Sequence, residues 1–386
     1  MKNKVLLLDG GGTQTLPIAK SLYKKGHEVH IFFEHKLNYG SVTRYAYKKI
    51  QTYSVKNEAE YMPYLKDYIA KNEIDVLIPM SDPTAEFLSK YKESLTALVR
   101  YVAPDYETFM KGYDKNLLMN VCREHGFPHP RTFDMQTTEI SSIPDSMFPA
   151  ILKPNLTTGG RGMKILNSRE ELELVYENNV AEYGQCHLQE YVAPGGQQLK
   201  VELFVDEKQN LIASSVMHKI RFYPVSGGSS CFNVTISDDS LVKICHEVLV
   251  KISWVGFADF DLIEDPKDGI KKIMEINPRV PACLKSAVDS GIDYGNLIVD
   301  ASMGRELQHY DYHPGKQCRH LGFDVLWFLK SKDRFRAQPS WFNFLNRNQA
   351  FQDFSFGDPL PFIYGSLSNI KKLRSENFRK SKERTV

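Results

Sequence analysis

The first hundred residues alternate between short apolar runs and helical patterns. Residues 5–8 form an apolar run that ends at three glycines, residues 10–12, and apolar positions at helical spacing follow. Residues 28–33 then predict a second strand. A further round predicts helices over 58–71 and 84–91 and strands over 75–80 and 99–103. This order of strand, turn, helix and strand is typical of a doubly wound domain with a parallel sheet.

The pattern changes after about residue 104. Residues 105–150 predict helices followed by a proline-rich stretch, as expected of a connection into a new domain. From residue 150 onward strand patterns dominate, so this part is expected to be α+β. The predicted strands are 150–153, 163–166, 187–192, 200–205, 211–217, 233–236, 257–263 and 271–276, with helices near 170–178 and 241–252.

Composition narrows the class of protein. The chain has 386 residues, 42% hydrophobic and 25% charged, with a formal net charge of +2. These values are ordinary for a globular enzyme, and so small a net charge gives no reason to expect nucleic acid as a partner. The apolar run near the start is too short for a signal peptide, and no stretch approaches the roughly 20 apolar residues of a transmembrane helix. We therefore expect a cytoplasmic protein.

The last eighty residues have a different composition. Past about residue 305 the chain is rich in Trp and Phe, and residues 371–384 are strongly basic. Packed aromatics and a solvated tail are the simplest interpretation. The alternatives are a docking site for a partner, a second subunit in a homodimer, or an anionic membrane surface.

Two carboxylates and an amide arrive together on adjacent predicted strands. Asp261 lies on one strand, and Glu275 and Asn277 lie on the next. Hard oxygen ligands of this kind suit Mg²⁺, which usually shares its coordination shell with phosphates. Arg279 follows two residues later and adds a cation where a transferred phosphoryl group would lie. The sequence therefore predicts a site that activates a phosphoryl group.

A lysine and a glycine-rich loop lie upstream of these acids. The strand at 150–153 ends at Lys153, and Gly159, Gly160 and Gly162 follow. Glycines allow backbone N–H groups to approach phosphate oxygens closely, and the lysine supplies a point charge. An ordinary hairpin loop is the alternative.

Two further segments fit a nucleotide site. The strand at 187–192 ends in a Pro/Gly linker, whose backbone groups could bind an adenine edge or simply join two domains. Asp114 is a suitable helix cap, and Lys115 at the helix start faces either a nucleotide or solvent.

The order of these motifs over residues 1 to about 300 resembles the ATP-grasp superfamily, and most closely its carbamoyl-phosphate-synthase-like and D-alanine-ligase-like carboxylate–amine ligases. The resemblance implies an α/β domain at 1–104, a small ATP-grasp subdomain with a linker helix at 105–190, a large subdomain at 191–305, and an aromatic extension with a basic tail at 306–386.

The resemblance also implies a role for each motif residue. Lys115 and Lys153 would hold the ATP phosphates beneath a lid loop formed by Gly159, Gly160 and Gly162. The adenine would be lined by Glu190, Tyr191, Val192 and Ala193. Asp261, Glu275 and Asn277 would ligate Mg²⁺ or Mn²⁺. Arg279 would steady the charge of an acyl phosphate, with Arg221, or Lys219 beside it, as a second cation.

The implied reaction is ATP-dependent ligation of a small-molecule carboxylate to an amine through an acyl phosphate, with release of ADP and phosphate. The family's acidic ribose contact has no clear counterpart at residues 195–198, where Gln197, Gln198 or Glu202 are the candidates. Residues 10–13 and 81–84 are either turns or sites for a substrate carboxylate at helix N-termini, and residues 291–293 also resemble a segment near the substrate.

Three alternatives remain open. The first is a carboxyphosphate-forming enzyme like carbamoyl-phosphate synthase or biotin carboxylase. The second is an NAD-binding oxidoreductase, although residues 10–12 lack the G-x-G-x-x-G spacing. The third is a nucleotide-binding regulator without catalysis, against which the intact set of Asp261, Glu275, Asn277 and Arg279 argues.

Overall fold

In the computed structural model, which describes residues 2–157, 159–225 and 228–374, the chain begins with a four-stranded parallel sheet. Its strands are β1 (Lys4–Leu8), β2 (Glu28–Phe33), β3 (Lys48–Gln51) and β4 (Val76–Pro79), in the order β3-β2-β1-β4. Helix α1 (Thr15–Lys24) connects β1 to β2 and α2 (Glu58–Asn72) connects β3 to β4, while α3 (Asp82–Lys90) and α4 (Lys92–Thr96) follow β4. The predicted doubly wound sheet is confirmed.

The strand predicted at 99–103 is not formed. Val99, Tyr101 and Ala103 are buried in alternation, as in a strand, but Arg100 alone bridges to Val76 of β4. The burial pattern indicates an extended segment beside the sheet. Its single bridge to β4 is too short a pairing to form a strand.

A second, smaller sheet follows two linker helices, α5 (Tyr106–Tyr113) and α6 (Lys115–His125). Its strands β5 (Thr132–Asp134), β6 (Ala150–Pro154), β7 (Lys164–Leu166) and β8 (Cys186–Glu190) pair antiparallel in the order β5-β8-β6-β7. Helix α7 (Arg169–Tyr183) covers one face. Helix α6 begins where Asp114 accepts hydrogen bonds from two backbone N–H groups, and it ends at Gly126, whose φ is +72°.

The third sheet is the largest and contains seven strands in the order β13-β12-β9-β10-β11-β14-β15. These are β9 (Gln198–Val205), β10 (Leu211–Tyr223), β11 (Ser229–Ile236), β12 (Gly256–Glu264), β13 (Lys271–Asn277), β14 (Gln317–Arg319) and β15 (Gln349–Phe351). The accompanying helices are α8 (Asp239–Lys251), α9 (Lys285–Asp289), α10 (Tyr294–Ser302), α11 (Leu321–Lys330) and α12 (Leu360–Arg374). Strands β14 and β15 lie beyond residue 305, so the aromatic-rich segment extends this sheet.

Two hydrophobic cores join the sheets. The linker helices share a core with the large sheet, where Phe109 of α5 stacks on the fully buried Trp254. A side chain at Gly112 would lie 2.7 Å from the same indole, so the helix can approach it this closely because that residue is glycine. The parallel sheet packs one face against α10, through residues such as Leu297. No helix among the described residues is both long and apolar enough to cross a membrane.

A buried ion cluster fastens the last segment to the large sheet. Arg221 of β10 forms a bidentate pair with Asp324 of α11, with donor–acceptor distances of 2.7 and 3.1 Å. Arg319 of β14 lies 3.3 Å from the same carboxylate. All three side chains are buried, and the Arg221 guanidinium lies 4.0 Å from the centroid of the Phe232 ring.

Asp324→Asn should therefore destabilise the protein strongly, because it leaves two buried guanidinium groups without a counter-charge. The expected loss in the free energy of unfolding is about 3–5 kcal/mol, measured by urea denaturation. The matched control is Glu107→Gln, which breaks the exposed Lys111–Glu107 pair and should change that free energy little. Equal losses in the two variants would contradict this role for Asp324.

Candidate active site

The predicted metal ligands meet on one face of the large sheet. Asp261 of β12 lies directly opposite Glu275 of β13, and Asp259 lies opposite Asn277. The Asn277 amide nitrogen donates to the carboxylates of Asp261 at 3.2 Å and Asp259 at 3.3 Å. The antiparallel register thus brings three acids and one amide into a single cluster.

Two lysines from neighbouring strands balance this negative charge. Lys200 of β9 bonds to Asp259 and lies 3.3 Å from Asp261, while Lys219 of β10 bonds to the other oxygen of Asp261. Burial disfavours ionisation of Asp261, but Lys200 and then Lys219 outweigh it and hold the pKa of Asp261 below its usual range. For Asp259, burial has the larger effect and raises its pKa despite the charge of Lys200.

The set fits a hard divalent cation in its chemistry. Asp261 and Glu275 supply adjacent carboxylates, and Asn277 supplies an amide whose oxygen would have to turn toward them. A metal ion there would compete with Lys200 and Lys219 for Asp261. Among the residues that the structure describes, no three His, Cys, Asp or Glu side chains form a metal cluster by themselves.

Arg279 connects this cluster to the parallel-sheet domain. Its Nε lies 3.0 Å from the Asp82 carboxylate, its Nη2 donates to Asn277 at 3.4 Å, and its Nη1 lies 3.9 Å from Asp259. Asp82 begins α3, which is capped by Ser81. The guanidinium is therefore held at the boundary between the domain that carries Asp82 and the acidic face of the large sheet.

Lys115 joins the glycine loop to the acids. This lysine is the first residue of α6, and its Nζ donates to the Thr157 carbonyl at 2.7 Å and lies 3.5 Å from a Glu275 oxygen. A cation between a loop and a carboxylate can shift to a phosphate when one enters. Lys115 therefore lies between the glycine loop and the acids, and its contact with ATP phosphates stays a prediction.

Lys153 lies on the face of the small sheet that carries His187 and Gln189. It bonds to Gln189 and pairs in register with His187 on β8. Burial, followed by the charges of Lys153 and Lys115, lowers the pKa of His187 far below its usual range. The imidazole is therefore neutral, and its Nδ1 lies 2.9 Å from the Asn155 side-chain oxygen.

The glycine loop adopts the backbone that its residues allow. Gly159, Gly160 and Gly162 all have positive φ, between +70° and +78°. At Gly162 a side chain would also lie 2.7 Å from Pro154 and from the Tyr183 ring. Glycine is therefore required there both by backbone conformation and by space.

The predicted adenine linker follows β8 of the small sheet and leads to β9 of the large sheet. Glu190 and Tyr191 donate their backbone N–H groups to Arg131 and Pro149 at 2.8 and 3.2 Å. The Glu190 carboxylate instead pairs with Lys272 of β13 at 2.5 Å. Tyr191, Val192 and Ala193 are half-buried, so they remain open to a ligand between the sheets.

Arg221 was predicted as a site residue, but its side chain contacts residues outside the acidic cluster. Its guanidinium is committed to Asp324, the Pro339 carbonyl and the Phe232 ring. Lys219, which the resemblance offered as the alternative, contacts Asp261 directly. We therefore treat Arg221 as a structural residue. Lys219 takes its place as the candidate for the second cation beside Arg279.

The turns predicted near the substrate differ in their bonding partners. Thr13 bonds to the Ala282 carbonyl and accepts from Gln352 of the last segment, so this end of the parallel sheet is covered by protein. Asp293 caps α10 and bonds to Ser21, which gives it a structural role. Asp82, by contrast, faces Arg279.

Lys200 and Asp259 were missed by sequence reasoning as site residues. Lys200 alternates with apolar residues along β9, as Glu202 does, and Asp259 stands two residues before Asp261. This period of two places each pair on one face, and it could have identified them. Glu202, considered above as a ribose contact, is fully buried against Ser215 of β10.

Gly162→Ala should destabilise the protein more than Gly126→Ala does. Both glycines have φ near +70°, but a side chain at Gly126 meets nothing within 4 Å, whereas one at Gly162 meets Pro154 and Tyr183. The strain of a positive φ costs about 1 kcal/mol in each variant, and the contacts add to it at Gly162 alone. Equal free energies of unfolding in urea would refute the steric argument.

The stability contributed by Glu202 should depend on pH. Burial, and then the charge of Asp259, raises the pKa of Glu202 from 4.5 to about 8. Between these values the folded state binds one proton more than the unfolded state, so stability falls as the pH rises. Glu202→Gln removes this titration, and its stability relative to wild type should therefore improve from about pH 5 to about pH 8.

This prediction is checked by urea denaturation at several pH values within that window. The control is Glu177→Gln, which removes one exposed carboxylate from α7. A stability difference between Glu202→Gln and wild type that is constant across the window would show that Glu202 ionises normally.

Comparisons with known proteins agree with this geometry. A family model described as an ATP-grasp domain matches residues 113–283. The chain is 27% identical over 234 residues to a D-aspartate ligase from Enterococcus faecium, covering 55% of each protein. It is 22% identical over 223 residues to the C-terminal section of the carbamoyl phosphate synthase large chain from Methanopyrus kandleri, covering 54% of this chain and 40% of that one.

A solved structure shares the fold. The biotin carboxylase from Campylobacter jejuni, in complex with a β,γ-ATP ligand, matches with a TM-score of 0.69 at 15% identity, covering 82% of this chain and 74% of that one. The chain spans about half the length of the curated relatives it matches. Residues 113–283 thus form an ATP-grasp domain.

Proposed function

We propose that this protein is an ATP- and Mg²⁺-dependent ligase that joins a carboxylate to an amine and releases ADP and phosphate. The observation that carries the proposal is the convergence of Lys115, Glu275, Asp261 and Arg279. Lys115 pairs with Glu275, Glu275 lies opposite Asp261 in the β12–β13 register, and Asn277 links Asp261 to Arg279. Such a cluster offers cations to phosphates and oxygens to a metal ion at the same place, as phosphoryl transfer requires.

The nucleotide end of the site would be formed by both sheets. Lys115 and Lys153 are buried lysines whose partners, the Thr157 carbonyl, Glu275 and Gln189, can each be exchanged for a phosphate oxygen. The glycine loop would close over those phosphates. The half-buried linker at Tyr191, Val192 and Ala193 would contact the adenine.

Mg²⁺ would be held by Asp261, Glu275 and Asn277, where it would neutralise phosphate charge during transfer. Arg279 would orient the carboxylate that receives the γ-phosphoryl group and hold the resulting acyl phosphate. The amine would then attack the acyl carbon and form the C–N bond. The C–O bond to phosphate would break, phosphate would leave with the electron pair of that bond, and the proton on the amine nitrogen would pass to solvent. The neighbouring Lys200 and Lys219 would keep Asp261 ionised throughout.

Phosphate release from ATP in the presence of Mg²⁺ tests the reaction. Release should require a carboxylate and an amine together, and a panel of amino acids as both partners is the first screen. Release that depends on bicarbonate instead would favour the carboxyphosphate-forming alternative, which the similarity to carbamoyl phosphate synthase keeps open. Tight binding of NADH without binding of ATP would reject the ligase proposal.

Glu275→Gln should lower the rate of phosphate release by roughly two orders of magnitude or more, because it removes a metal-binding charge from the site. The protein should remain folded, since Glu275 is half-exposed and pairs only loosely with Lys115 at 3.5 Å. The matched control is Glu264→Gln, which removes a carboxylate from the end of the adjacent strand β12. A wild-type rate in Glu275→Gln would show that the metal ligands are misassigned.

A further inference from the structure

Helix α12 exposes an apolar stripe. Leu360, Ile363, Leu367 and Ile370 are each about half exposed, at 48–50% of their full accessible surface. Their spacing of three, four and three residues places them on one face of the helix. A helix on the surface of a globular protein normally turns such a face inward.

The inner face of α12 is held in place by other contacts. Gly365 packs so closely on Tyr39 that a side chain there would lie 2.1 Å from the ring, and Asn369 donates to the Tyr39 hydroxyl at 3.1 Å. Pro361 is buried on the same side. The helix is therefore fixed with its apolar stripe outward.

A neighbouring aromatic residue extends this stripe. Phe356 is 92% exposed, and Phe354 contacts both Phe356 and Phe362, with ring centroids 4.9 and 5.6 Å apart. Phe356 therefore lies beside the start of α12. We call Phe356, Leu360, Ile363, Leu367 and Ile370 the apolar patch.

Positive charge flanks the apolar patch at both ends. The exposed Arg44 donates to the Gly357 carbonyl at 3.2 Å, beside Phe356, and the exposed Lys371 follows Ile370. Residues 371–384 contain seven Lys or Arg residues against two Glu. Since the whole chain has a formal charge of +2, the rest of it carries a net charge of −3. Along the sequence, positive charge is thus concentrated directly after the apolar patch.

We propose that the apolar patch docks on an anionic lipid surface, with α12 lying in the plane of the headgroups. Apolar side chains beside clustered basic residues are the combination that holds amphipathic helices at such interfaces. A second copy of the chain fits less well. Pairing two patches in parallel brings Lys371 near Lys371, and pairing them antiparallel brings Arg44 near Lys371.

This inference goes beyond the ligase reaction and does not depend on it. The apolar patch is formed by α12 and by Phe356 before it, whereas the proposed reaction uses residues 113–283 and Asp82. Docking would hold the enzyme beside a lipid surface without altering the chemistry of its site.

Co-sedimentation of the full chain with extruded vesicles tests the proposal. Vesicles of phosphatidylcholine with about 30% phosphatidylglycerol should bind the protein, whereas pure phosphatidylcholine should bind it weakly, because anionic lipid attracts basic residues. Binding should weaken as salt is raised, since exposed charges are screened. Ile363→Ser with Leu367→Ser should weaken binding at least about tenfold, because two apolar side chains leave the interface.

The control variant combines Leu174→Ser with Val250→Ser, two exposed aliphatic residues on α7 and α8, and it should bind like wild type. A second variant, Arg379→Gln with Lys380→Gln, Lys382→Gln and Arg384→Gln, should lose the preference for anionic vesicles. Thermal unfolding and phosphate release should be unchanged in all three.

Two results would overturn the proposal. One is equal sedimentation of wild type and Ile363→Ser/Leu367→Ser with anionic vesicles. The other is failure of wild type to bind those vesicles, together with a dimer in sedimentation velocity that the same variant converts to a monomer. In that case the patch is an interface between copies of this chain.

Discussion

Asp259 is buried and Asp261 is half-buried two positions further along β12, and the fold can hold both carboxylates because two ammonium groups reach them from β9 and β10. Asp259 and Asp261 would repel each other in the low dielectric of the sheet. Lys200 and Lys219 supply the compensating charge from β9 and β10. Much of the rest of the site follows from this balance, because Asn277 and Arg279 attach to the same carboxylates.

The same balance explains why three separate parts of the chain meet at one place. Arg279 shares Asp259 with Lys200, and its shorter ion pair is with Asp82 of the parallel-sheet region. Lys115 from the linker helix attaches to Glu275 at the other edge. Each charged side chain of the acidic cluster and its cations therefore already has a partner of opposite charge. A bound anion or cation would exchange existing ion pairs for new ones. Sites arranged in this way need little reorganisation during a reaction.

The parts that sequence reasoning predicted well are those with a strong local pattern. The strands β6, β12 and β13 were expected within about two residues, because apolar runs and strict alternation specify them. The motif order then predicted the ATP-grasp domain that the family model matches over residues 113–283. Strand β3 was missed because three of its four residues are exposed and leave no pattern. Lys200 was missed because the alternation along β9 shows only which face of the strand it occupies. Its partner Asp259 lies 59 residues away in the sequence.

Arg221 marks the limit of such reasoning. Its position near Lys219 in the sequence suggested a shared role, but an irregularity in the β10–β11 pairing lies between them, and Arg221 turns to Asp324. That partner lies 103 residues away, so no local signal could indicate it. The assignment of the remaining site residues is a prediction carried by their order along the chain and by the contacts described above.

The Arg221–Asp324–Arg319 cluster also bears on where this protein can be divided. The region that matches the ATP-grasp family ends at residue 283, which invites the view that it is a self-contained module with an appendage. A chain cut at residue 305 would keep the buried Arg221 guanidinium but lose its partner Asp324. It would also lose β14, which pairs with β11 in the large sheet. The matched region thus ends before the large sheet is complete, because β14 and Asp324 lie beyond residue 283 and belong to the same packed unit.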